Sequence, residues 1–227
     1  MKGFIILFVI FLSLIACEEA PKIKETTNPN STKKNALPPN PIHPTLQKLV
    51  NAKTTWLKYY KMKDASFDPR QFESAGKETL ELSPGNAWND TDPNFEKTLS
   101  ALLINAPDHS QYIDLDSYWM ELEKEADKII SYSLDLDQEV NWVNRKTKEA
   151  YRIGFCGSAC EFEDAVWLDN QSFVLMGKEE DKLFLQFIEL NKKETELYYY
   201  PNPLNSKENY NYSKDIRYKA LPLVDKK

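Results

Sequence analysis

The sequence predicts a mainly β body of antiparallel strands, preceded by two α-helices. Three observations predict it. Hydrophobic residues make up 41% of the 227 and aromatics 12%, enough for a packed core. The apolar period changes from 3.6 to 2 after Pro107. Turn-forming polar clusters then recur about every 8–12 residues, as in all-β domains. With only 6 Gly, collagen-like and glycine-rich repeats are excluded, and with 2 His most His-based metal and triad chemistry goes too. A net charge of −6 argues against a nucleic-acid partner and against charge-driven binding to anionic lipid.

Residues 1–16 read as a signal peptide. Lys2 supplies the positive start, and from Phe4 to Ile15 only Ser13 is polar. That run is shorter than the roughly 20 residues a spanning helix needs, and it has the size of a signal-peptide core. Its end, Leu14-Ile15-Ala16-Cys17, resembles the lipobox of bacterial lipoproteins. The resemblance implies cleavage after Ala16, a diacylglyceryl thioether on Cys17, and membrane attachment through two or three acyl chains. The alternative is an ordinary secretory signal with a chance Cys. Glu18 and Glu19 resemble the acidic signals that send some Gram-negative lipoproteins to the cell surface; the alternative is the solvated start of a tether. The expected location is the cell envelope, at the outer membrane, facing the periplasm or the outside.

Residues 17–44 form the lipidated Cys and a tether. Six Pro (Pro21, Pro29, Pro38, Pro39, Pro41, Pro44) and no aromatic residue mark 18–44 as unable to build a core. Such a segment favours an extended, semi-rigid form that can reach about 90 Å. Residues 45–105 are predicted to be a helical cover for the sheet. Thr45 caps a first helix with Leu46, Leu49, Val50, Leu57 and Tyr60 on one stripe. Residues 64–92 read as irregular. Asp92-Pro93 then opens a second helix, with Phe95, Leu99, Leu102 and Leu103 on its stripe.

Residues 106–204 are the predicted β region. Tyr118, Met120 and Leu122 alternate as in a strand, although Trp119, Leu122 and Ala126 also fit a helical face. Val140 and Trp142 alternate with polar residues, as do Tyr151 and Ile153. Phe162–Leu168, Phe173–Met176, Leu183–Leu190 and Leu197–Tyr200 are short apolar runs. Residues 205–227 read as a partly ordered tail with Tyr210, Tyr212 and Tyr218 as docking points.

Two stretches repeat. Ala106–Ile113 parallels Trp167–Val174, each a polar turn with an Asp, then an aromatic that starts a strand. Trp142–Lys146 parallels Glu189–Lys193, a strand end and a basic turn. The spacing gives the first unit about 14 more residues than the second. The pattern resembles two blades of a WD-type β-propeller, although Gly is missing after both Asp residues and no Trp-Asp dipeptide closes a blade. The resemblance implies a two-blade remnant whose open ends need cover; plain β-meander hairpins are the alternative.

Cys156-Gly-Ser-Ala-Cys160 is the most informative chemical pair. Along a straight strand the two Cα atoms would stand about 13 Å apart. A disulfide needs roughly 4.4–6.8 Å, so a bonded pair demands a sharp turn, which Gly157 permits. An exported chain favours the disulfide, with free thiols or a metal pair as alternatives. Neither His43 nor His109 stands at a ligand spacing, and no metal or cofactor is expected. Asp114 with Asp116, Asp135 with Asp137, and Asn89–Asp92 are oxygen-rich, but they read as solvated faces and a helix cap. Glu161, Glu163 and Asp164 can be drawn as an acid–base pair, yet beside a buried strand they read as its exposed face. Tyr198, Tyr199 and Tyr200 alternate faces, so at least one should be exposed, and the three offer a candidate interaction surface. No catalytic residue is assigned. The expected function is a membrane-anchored, non-catalytic binding or assembly module with an envelope protein or glycan as partner. The alternative is a small envelope hydrolase with a carboxylate-based site.

Overall fold

The computed structural model describes residues 42–85, 100–125, 128–133, 137–205, 209–219 and 223–226. The lipobox with Cys17, Glu18 and Glu19, the tether up to Pro41, Asn89–Asp92 and Asp135 lie outside these residues. Two helices open the described chain, α1 (Pro44–Ala52) and α2 (Thr55–Lys63). The sequence predicts one helix here; the chain breaks it. Lys53 turns left-handed at φ 49°, and Thr54 caps α2 by accepting from the Leu57 N–H at 3.2 Å. The first cap is His43 rather than Thr45, with Pro44 in the first turn. The second predicted helix falls mostly outside the described residues. Where it should end, Ile104–Asn105 is strand β3 instead, and Leu102 and Leu103 are buried in the turn before it.

The strands are β1 (Glu73–Thr79), β2 (Ser83–Pro84), β3, β4 (Gln111–Asp114), β5 (Met120–Glu125), β6 (Lys128–Ser133), β7 (Gln138–Asn144), β8 (Glu149–Cys156), β9 (Cys160–Trp167), β10 (Ser172–Glu179), β11 (Lys182–Glu189), β12 (Glu194–Tyr199) and β13 (Leu223–Lys226). They form two five-stranded antiparallel sheets and one three-stranded sheet. The first sheet runs β2-β8-β7-β4-β3 and the second β1-β12-β11-β10-β9. Each is thus a four-strand meander whose last strand is flanked by an earlier strand, β2 or β1. The stretches that repeat in sequence sit at the same places in both sheets. Ala106–Ser110 joins β3 to β4 as Leu168–Gln171 joins β9 to β10; the basic turns join β7 to β8 and β11 to β12. The hairpin β5–β6, Met120–Ser133, is the excess of the first unit. It pairs with β13, which lies parallel to β6.

The strand β1 contradicts the irregular reading of 64–92. Every one of its residues is exposed, so it leaves no apolar period to read; backbone pairing with β12 alone forms it.

The central strands of the second sheet, β10 and β11, are buried on both faces. Val174, Met176, Leu185 and Phe187 pack under Leu46, Leu49, Trp56 and Tyr60 of the helices. On the other face, Phe173, Leu175, Phe184 and Ile188 meet Ile113, Leu115, Val140 and Ile153 of the first sheet. Each such side chain contributes about 1.5–3 kcal/mol on full burial. Polar bonds fix the sheets in register. The Gln138 side chain pairs with both the N–H and the carbonyl of Phe162, at 2.7 and 2.9 Å. The Trp167 indole donates to the Ile104 carbonyl at 2.8 Å. The two repeated Asp turns touch: the Asp108 N–H donates to Asn170 Oδ1 at 3.1 Å. Among the described residues no helix is long and apolar enough to cross a membrane.

Candidate functional site

The densest polar cluster lies on β9, and a β-bulge creates it. Phe162 faces Gly177 and Asp164 faces Met176, leaving Glu163 as the extra residue. A bulge breaks the two-residue alternation. Phe162 and Ala165 therefore still reach the core between the sheets. Glu161, Glu163 and Asp164 meet the side chains of α2, β10 and the C-terminal segment instead. Gly177 makes the close approach possible: a Cβ there would stand 2.2 Å from the Glu161 carbonyl oxygen and 2.6 Å from the Phe184 ring.

These carboxylates are not the exposed face that alternation predicts. Glu163 is wholly buried, at 0% exposure. Its Oε2 accepts from the Trp56 indole at 2.8 Å and from the Tyr60 hydroxyl at 2.7 Å. Lys178 Nζ lies 3.5 Å from its other oxygen and 3.0 Å from Glu161. Burial pushes the Glu163 carboxyl up to about 7, against the lowering pull of the Tyr60 hydrogen bond and the Lys178 charge. Burial likewise raises Asp164, which accepts from the Tyr212 hydroxyl at 2.6 Å. Burial lowers Lys178, but the Glu161 and Glu163 charges outweigh it and leave the ammonium above its ordinary range.

The rest of the cluster comes from the C-terminal segment, which carries a short π-helical turn at Ser213–Arg217. Ser213 Oγ donates to Glu161 at 2.9 Å. Arg217 pairs with Asp116 at 2.5 Å, both nearly buried, and Tyr218 donates to the same carboxylate at 2.7 Å. Asp114 and Asp116 thus also leave the solvated face predicted for them. Asp114 is buried, accepts from the N–H groups of Asp116 and Ser117, and bonds the Ser117 hydroxyl. Asp137, by contrast, is exposed.

Tyr198 and Tyr200 are corrected from surface to core. At 1% and 4% exposure they pack with the helices. Tyr198 donates to Glu196 and contacts the His43 ring nitrogen, while Tyr200 donates to Gln71. Only Tyr199, on the opposite face, is part-exposed; its hydroxyl donates to Glu179. Cys156 and Cys160 stand at disulfide distance, Cα to Cα 5.4 Å, across the turn that leads from the first sheet into the second. His109 lies in an exposed turn at φ 58°. Of the tail residues, Tyr212 is buried, Tyr218 bonds Asp116, and Tyr210 stacks on Tyr60 at 5.7 Å, so all three dock.

Beside the cluster, a depression of about 400 Å³ is lined by Ser158, Ala159, Cys160, Glu161, Lys178 and Glu180. Among the described residues no three His, Cys, Asp or Glu side chains gather to hold a metal ion. Sequence reading found the acids of β9 but missed Trp56, Tyr60, Lys178 and Arg217. Three acids inside an apolar strand run were the available signal; Lys178 was hidden in an apparent turn and Arg217 in the tail. No protein-family model, no curated protein and no solved structure matches this chain.

Proposed function

We propose that the chain is a lipid-anchored, non-catalytic binding or assembly module of a bacterial cell envelope. The observation that carries the proposal is Leu14-Ile15-Ala16-Cys17 behind an apolar run of signal-peptide size. Acyl chains on Cys17 hold the protein at the outer membrane, and the Pro-rich tether gives the body reach. Attachment raises the local concentration of the body around an envelope protein or glycan. The two sheets of equal strand order support the likeness to two propeller blades, with helices covering one open end. The non-catalytic reading draws on the carboxylates of β9, which are engaged by protein donors. In an oxidising compartment the Cys156–Cys160 pair persists as a disulfide.

Replacing Cys17 by Ser tests the anchor. The expected result is loss of lipid labelling, with the protein moving to the aqueous phase of a detergent separation; unchanged labelling refutes it. Cross-linking in intact cells then identifies the partner.

The second reading, a small envelope hydrolase, draws on Glu163 near neutrality beside Glu161 and the depression. Hydrolysis of envelope polymers by the purified body, lost in Glu163→Gln, would establish it. Absence of turnover in the unaltered protein removes it.

A further inference from the structure

The net charge of −6 hides an asymmetry. From Ile42 to Lys63 the chain carries five Lys and no Asp or Glu, whereas the rest of it carries 24 basic against 35 acidic residues, or −11. That stretch is the helix layer, α1 and α2, whose inner side packs on the second sheet through Leu46, Leu49, Trp56 and Tyr60. On α2, Lys58, Lys61 and Met62 stand at i, i+3 and i+4 and form one exposed stripe. Lys53 is exposed where α1 meets α2. Met62 is the most exposed large apolar side chain among the described residues, at 74%. Acids offset the cations at the edges of this face. Lys48 lies by Asp169, Lys63 is 3.9 Å from Asp215, and Arg70 pairs with Asp68. Lys61 donates to the Ala65 and Phe67 carbonyls, and Asp64, the remaining acid beside it, is held by Ser66. Lys53, Lys58 and Lys61 against Asp64 thus leave two positive charges in excess.

We propose that this helix face docks the body on the anionic headgroups of the leaflet that holds Cys17. The inference rests on the anchor proposed above, and three observations select a lipid surface as the occupant. The helix layer follows the tether directly in sequence, so it is the first part of the body beyond the anchor. The −11 on the rest of the chain turns that remainder away from an anionic surface, which orients the docked body. Met62 among the lysines offers an apolar group at headgroup depth. The net charge does not decide the matter. At physiological salt, charges more than about 8 Å away are largely screened, so the cations next to the surface count. Each excess charge near an anionic leaflet multiplies the docked population about fivefold, and two multiply it about 25-fold. The docked body exchanges with one held out at the reach of the tether.

The test holds the full chain on vesicles through Cys17, by its own acyl chains or, if it carries none, by coupling the Cys17 thiol to a maleimide lipid. A missing native lipid then refutes the anchor and leaves the docking measurable. Amine labelling of each lysine is read by mass spectrometry on phosphatidylcholine vesicles and on vesicles that also contain phosphatidylglycerol. On the anionic vesicles, labelling of Lys53, Lys58 and Lys61 and peroxide oxidation of Met62 should slow at least about threefold and recover in high salt. Lys146 and Lys148, in the exposed turn after β7, should change little. A triple variant combines Lys58→Gln and Lys61→Gln with Lys53→Asn, which suits the left-handed backbone at that position. In it Met62 should oxidise equally fast on both kinds of vesicle. Equal labelling on the two vesicles, equal protection of Lys146, or protection of Met62 that survives the triple variant would each overturn the docking. Protection by soluble polyglutamate and none by the vesicles would overturn it in favour of an acidic protein partner.

Discussion

The two five-stranded sheets share one strand order, yet the bulge in β8 of the first and the bulge in β9 of the second do opposite things. In the first sheet Val140 faces Gly154 and Asn141 faces Arg152, so the extra residue is Ile153, which packs into the core between the sheets. In the second sheet the extra residue is Glu163, which gathers three carboxylates against α2 and the C-terminal segment. A glycine accompanies each. A Cβ on Gly154 would meet the Phe162 ring at 2.9 Å, and one on Gly177 would meet backbone at 2.2 Å. The bulges fall on non-equivalent strands, β8 being the fourth of its meander and β9 the first, so equal topology does not fix where the chain kinks; the side chain at the kink decides whether the result is core or polar site.

Four comparisons, using substitutions at six residues, break or sharpen that contrast. Arg217→Met leaves Asp116 buried without its cation and should cost about 3–5 kcal/mol in denaturant unfolding. Gly177→Ala forces the Glu161 backbone to move and should cost about 3 kcal/mol, against about 1 kcal/mol for Gly154→Ala, where a ring edge can shift. Equal costs at the two glycines would remove the distinction drawn between the bulges. Replacing Cys156 and Cys160 by Ser, at the link between the sheets, should cost about 2 kcal/mol if the bond is formed, as expected for so short a loop. Lys193→Gly relieves a turn held at φ 51° and should gain about 0.5 kcal/mol, seen as a small rise in Tm.

Strands β10 and β11 were legible in the sequence because both of their faces are apolar, so Phe173–Met176 and Leu183–Leu190 stand out by composition alone. The paired turns were legible because Asp108 and Asp169 hold them by the same chemistry, accepting from Ser110 and Gln171 two residues on. Strand β1 was illegible for the converse reason: a strand exposed on both faces needs no apolar residue. The carboxylate cluster was misread because alternation fails at a bulge, and nothing local announces one. Leu102 and Leu103 fit a helical stripe, but burial in the turn before β3 satisfies them equally well.

The pairing of β1 with β12 has a consequence for the order of events as the chain is made. Glu73–Thr79 emerges long before Glu194–Tyr199 exists, and it pairs with no nearer neighbour among the described strands. Closing so distant a contact is slow. A strand without a single large apolar side chain can wait in water for that partner without sticking to other chains. The polarity that hid β1 from pattern reading is thus a safeguard during folding.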